Sequence, residues 1–216
     1  SRHTIITGAY PMTAIPLHAH EVRRLLIAGN VLVLRPIKPQ PPWTTDEVYC
    51  EDGTWRFDGH ADGHWYDTWP NDLGLRCPYG APGSVAWVRE TWFFAHAPND
   101  ESGQGYAISS DALGPVRWHP DLAPTRRGWC RTWHKRSPIT MPRWASRCDV
   151  TVLDARVLRI NELSQDDESM AGFTDDIPAY NHIHFQNDWL RRYARRFTDN
   201  LWQIWVWAVT VRRNAA

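Results

Sequence analysis

The chain has almost no lysine: Lys38 and Lys135 are the two among 24 basic residues. Nearly all positive charge is therefore guanidinium, which suits planar hydrogen bonding and ring stacking, and amine nucleophiles are confined to two positions. A net charge is also missing, since 24 Lys+Arg balance 24 Asp+Glu. No overall field draws the molecule to nucleic acid or to a membrane surface, so any attraction must be local. No apolar run approaches the roughly 18 residues of a membrane helix. Cys50, Cys77, Cys130 and Cys148 show no CxxC spacing, and the N-terminal stretch lacks the charged and apolar regions of a secretory signal. These absences predict free thiols in a reducing cytoplasm, without membrane contact.

What is present is enough apolar matter for a core. At 216 residues and 43% hydrophobic content the expectation is a single domain, 1–216, with long loop insertions at 43–76 and 97–136. Fourteen tryptophans imply a rigid aromatic core, or flat surfaces on which rings could stack.

Along the chain, Thr13 to Leu17 reads as a short strand and His20 to Ala28 as a helix, punctuated by Gly29-Asn30. Val31 to Leu34 is continuously apolar and predicts a strand buried on both faces. The prolines at 36, 39, 41 and 42 make an extended connector. Glu47 to Phe57 predicts a hairpin turning at Asp52-Gly53, and 58–76 a surface excursion. Trp92 to Ala97 is expected to continue the strand before it, and Tyr106 to Ser109 to form a short strand. Cys148 to Ile160 fits a long strand broken near Asp154, and Ser164 with Asp167 caps a short helix that Gly172 ends. Phe185, Trp189, Tyr193 and Phe197 give a helix with an aromatic stripe, and Trp202 to Val211 a closing strand.

The stretch from Cys77 to Trp92 organises the rest. Pro82-Gly83 suits a tight turn, and Val85 to Glu90 alternates as a strand. Arg89-Glu90 within it marks either a structural ion pair or the wall of a polar pocket.

Three stretches together, Leu25 to Pro41, Cys77 to Trp92 and Met141 to Arg147, resemble the phage-type branch of the ASCH family. Trp205-Val206-Trp207-Ala208-Val209 stands where that family's closing strand belongs. The resemblance implies an α+β fold, a PUA-like mixed β-barrel with flanking short helices and long loops. It also implies a cleft for RNA or modified nucleosides. Some members are amidohydrolases acting on N4-acylcytidine through a Gly-x-Lys-x-x-Thr-x-Arg motif and a later Glu. Here that motif's Gly is Gly29, while its Lys and Thr positions are Val31 and Leu34, and the Glu position is Ala171. Hydrocarbon cannot donate, accept or attack, so the usual hydrolysis has no route here. The family's Asp of the Pro-Gly-Asp turn is Ser84, and a usual Pro is Ile204.

The expected cleft residues are His18, His20, Val31, Leu34, Arg35, Glu90, Tyr106, Arg143, Ser146 and Ala171, with no catalytic residue assigned among them. The expected partner is a small aromatic or nucleoside-like ligand, with RNA bound weakly if at all. The alternative is an amidohydrolase on N4-acylcytidine-type substrates, or a new hydrolysis using His18 and His20. His18-x-His20 and His182-x-His184, with Glu21 or Asp188, have the elements of a zinc or nickel site, yet such pairs commonly carry no metal. No metal or cofactor is assigned. For Arg143 and Arg147, contact with a phosphate or base stands beside a structural pair to Glu90 or an aspartate. The Arg191 to Arg196 cluster is read as the solvated face of its helix.

Overall fold

The structure, a computed structural model, describes residues 13–41, 45–61, 64–69, 75–94, 108–109, 134–173, 178–197 and 201–215. In chain order these form β1 (Thr13–Pro16), α1 (Ala19–Ala28), β2 (Asn30–Pro36), β3 (Thr45–Glu51), β4 (Thr54–Ala61), β5 (His64–Trp69), β6 (Leu75–Arg76), β7 (Val85–Arg89), β8 (Trp92–Phe94), β9 (Ile108–Ser109), β10 (His134–Arg136), β11 (Asp149–Arg159), α2 (Gln165–Met170), α3 (Pro178–Tyr193) and β12 (Trp205–Arg213). The chain is an α+β fold.

The main sheet has the order β1-β7-β11-β12-β2, with β1 parallel to β7 and the other neighbours antiparallel. Among the described residues β1 and β2 are its open edges, so no closed barrel is formed by strand pairing. The edges nevertheless approach: an Arg35 guanidinium nitrogen on β2 donates to the Pro16 carbonyl on β1 across 2.5 Å.

Alternation divides β2 between two cores. Val31 and Val33 join Ile15, Val88, Val150, Val209 and the indoles of Trp205 and Trp207 on one side. Leu32 and Leu34 face the other way, onto Phe185, Trp189 and Tyr193 of α3 and onto Ala171 after α2. Both faces are therefore dry, as the unbroken apolar run requires. Gly29 ends α1 at φ +78°, its N–H donating to the Leu25 carbonyl at 3.0 Å. Gln40 fastens the proline connector, accepting from the Trp205 N–H at 2.7 Å and donating to the Trp205 carbonyl at 2.9 Å.

A second sheet pairs β3, β4, β5 and β6, turning at Asp52-Gly53, both at positive φ. Phe57 of this sheet is fully buried edge-on to Trp205. The expected excursion over 58–76 thus carries strand; paired strand hydrogen bonds supply an order that its polar, aperiodic sequence does not advertise. The expected continuation through Trp92 is also corrected. β7 ends at Arg89, Glu90 turns inward, and β8 joins β9 and β10 in a third sheet. The break in β11 falls between Val152 and Asp154, as expected. Most of 97–136 lies outside the described residues.

Candidate functional site

The start of α1, the end of β2, the turn after α2 and the last turns of α3 bring together a compact polar group. Glu21 is buried at the first turn of α1 and accepts the His18 N–H at 2.6 Å. Arg35 grips both its oxygens, at 2.8 and 2.7 Å, and donates to the Leu34 carbonyl at 2.7 Å. Side-chain exposure is 3% for Glu21 and 11% for Arg35. Burial opposes Glu21's charge, yet the guanidinium overcomes it and holds the carboxyl at about 2. The phenols of Tyr79 and Tyr193 lie within the field of this pair, and burial pushes both up.

Against this ion pair lies a row of rings. The His18 and His20 imidazoles are near parallel, 11° apart with centroids at 6.1 Å, and His20 packs on Phe173 at 4.6 Å. Both histidines are half-buried. Desolvation lowers His18 to about 3 and lowers His20 as well, so both are neutral at neutral pH. An Arg192 nitrogen lies 3.2 Å from His20 Nδ1; a guanidinium can only donate, so the His20 proton sits on Nε2. Asp188 in turn holds Arg192. Gly172, at φ +97°, lets the chain pass the His20 carbonyl, which a Cβ there would meet at 2.9 Å.

A second group surrounds Met141 to Arg147. Arg147 binds Glu90 through two contacts of 2.7 Å, at side-chain exposures of 5% and 3%. Arg143 pairs with Asp149 at 2.6 Å and lies 5.7 Å from the Trp87 ring. Ser146 Oγ is within 2.9 Å of the Val88 carbonyl and 3.0 Å of the Cys148 carbonyl. Of the two readings of Arg143 and Arg147, these contacts are the structural pairs. Leu17, next to His18, donates its N–H to the carbonyl of Arg89, next to Glu90, at 2.7 Å.

Val31, Leu34 and Ala171, at 0%, 5% and 2% exposure, are packed in the cores, with Val31 on the opposite face of β2 from Leu34. Tyr106 lies outside the described residues. His182 Nδ1 meets Glu168 at 2.7 Å and its Nε2 meets the Gln186 amide at 2.7 Å, away from His18 and His20 in the chain and on another helix. Among the described residues no three His, Cys, Asp or Glu side chains are grouped to hold a metal.

Sequence reasoning missed Glu21 as Arg35's partner, Tyr79 and Tyr193 as groups in the field of that pair, and Phe173 and Arg192 as neighbours of His20. Fourteen residues separate Glu21 from Arg35 and no local pattern joins them. The aromatic stripe did signal Tyr193, as core. No family model matches this chain, and no curated protein and no solved structure matches it.

Proposed function

We propose that the chain is a binding module of the phage-type ASCH kind, with a PUA-like architecture. Its site takes a flat nucleobase-like or small aromatic ligand at the row of His18, His20 and Phe173. The observation that carries this reading is a set of partly accessible rings kept neutral and fixed beside a buried ion pair. Neutral imidazoles present one donor and one acceptor each and stack without the hydration shell of a cation. The near contact of β1 with β2 through Arg35 and Pro16 supports the PUA-like part of the reading.

The same chemistry weighs against hydrolysis. A general base works best with a pKa near the operating pH, and His18 at about 3 and Glu21 at about 2 are far below it. Contact with RNA, in this reading, is weak and falls steeply with salt, because only local arginines release counterions.

Calorimetric titration with cytidine, N4-acetylcytidine and 2-naphthol tests the proposal. The expected result is binding of the naphthol at least as tight as cytidine, with a negative heat-capacity change, weakened in His20→Ala, and no turnover of N4-acetylcytidine. Binding unchanged in His18→Ala and His20→Ala, or turnover that depends on either residue, overturns it.

A further inference from the structure

We propose a second ligand site, independent of the ring row, in the groove between the β3–β4 hairpin and the Cys77–Ser84 turn, and that it takes an aromatic anion of about two fused rings. The groove measures about 660 Å³, within the usual few-hundred to thousand Å³ of small-molecule sites. Its apolar lining includes Trp55, Val85 and Ala155. Strand pairing explains the floor: Trp55 stands opposite Cys50 on one side and Leu75 on the other, and its indole is braced edge-on by Trp207 at 6.2 Å. The opposite wall is the turn, whose shape is fixed by Gly80 and Gly83 at φ +100° and +90° and by the Gly83 N–H donating to the Val152 carbonyl at 2.8 Å. Both walls are thus built before any ligand arrives.

The charge in the groove identifies the ligand's polar end. Asp52 is accounted for by the turn it occupies, at φ +49°, a position that favours Asp, Asn or Gly. Arg76 has no such account. It is exposed, lines the groove, and makes no ion pair among the described residues. A guanidinium in the lining of a groove that an indole also lines suits an acidic group carried on a ring, which can meet the charge at one end and the apolar wall at the other.

Two thiols in the lining, Cys50 and Cys77, report occupancy directly, with Cys148, which does not line the groove, as the internal control. Iodoacetamide labelling at each cysteine is followed by peptide mass spectrometry with and without naphthalene-2-sulfonate, alongside calorimetry. The expected result is severalfold slower labelling of Cys50 and Cys77 and no change at Cys148. Affinity falls in the order sulfonate, 2-naphthol, 2-naphthylmethylammonium. Arg76→Gln weakens the sulfonate about three- to fivefold, the size of one exposed ion pair. Ala81→Trp, an exposed change at the rim, abolishes protection by filling the groove, and His20→Ala leaves it intact. Absence of protection at millimolar sulfonate, equal slowing of Cys148, or equal affinity for the three naphthalenes overturns the proposal. So does protection lost in His20→Ala, which returns the ligand to the ring row.

Discussion

Glu21–Arg35 and Glu90–Arg147 are the same contact twice: a buried carboxylate gripped at both oxygens by a guanidinium, at 2.7 to 2.8 Å. Their settings differ. Glu90–Arg147 ties the end of β7 to the Met141–Arg147 segment, whose Ser146 hydroxyl is spent on backbone carbonyls beside it. Glu21–Arg35 joins the first turn of α1 to both edges of the main sheet, with two phenols in its field and two neutral imidazoles at its side. A buried pair alone is therefore poor evidence of function; what distinguishes the first is that the groups around it are partly open and shaped by it.

The largest effect expected from breaking this comparison is on stability. Removing one partner, as in Glu21→Leu or Arg147→Met, strands a buried charge and costs about 3–5 kcal/mol at either site. In urea denaturation the double replacements Glu21→Leu with Arg35→Met, and Glu90→Leu with Arg147→Met, are each less damaging than their worse single change. A double replacement no better than the singles would show that the ion pair itself, and not the unpaired charge, dominates.

Acid sharpens the contrast next. His18 has a folded pKa of about 3 against 6.5 for the free group, so below pH 6.5 the unfolded chain takes up a proton that the folded chain refuses. Its contribution is full above pH 6.5 and is lost as pH falls towards 3. Glu21, depressed from 4.5 to about 2, adds a contribution present above pH 4.5 and lost below it. Stability measured by denaturant at pH 7.5, 6 and 5 falls in the wild type, and His18→Gln flattens that slope. An unchanged slope would contradict the neutral imidazole.

A smaller change separates the ring row from its frame. Gly172→Ala forces a side chain onto φ +97° and against the His20 carbonyl, at a cost of about 1–3 kcal/mol. It also weakens aromatic binding, whereas an equally destabilising change at the Glu90 site does not. Smallest of all is Arg143→Ala. Its pair with Asp149 is half exposed, so thermal or urea unfolding shifts by no more than about 1 kcal/mol.

Where chemistry is local the sequence was legible. Gly29, Asp52-Gly53, the Ser164–Asp167 cap and the four-residue aromatic rhythm of α3 each dictate a conformation within a few residues, and each element is where its signal lies, except that α3 stops at Tyr193, one step short of Phe197. The strand over His64–Trp69 was not legible, because its order comes from β4 and not from its own alternation. The site was half legible. His18, His20 and Arg35 stand out in the sequence, but their assembly depends on the pairing of Glu21 with Arg35 across α1 and β2, and on Phe173 and Arg192, which only the packing of the post-α2 turn and α3 against α1 brings near. Val31 and Leu34, three apart on one strand, belong to opposite faces by the alternation that makes β2 a strand at all.

The central claim is that Glu21–Arg35 supports a neutral, fixed imidazole row that receives a flat ring. Histidine-selective ¹⁵N NMR between pH 7.5 and 5, with and without 2-naphthol, tests it most directly. His18 is expected to stay neutral throughout and His20 to titrate below the ordinary imidazole range, with its neutral form protonated on Nε2, and both signals to move on adding the naphthol. Titration of either imidazole near its ordinary 6.5, with no response to the ligand, would contradict it.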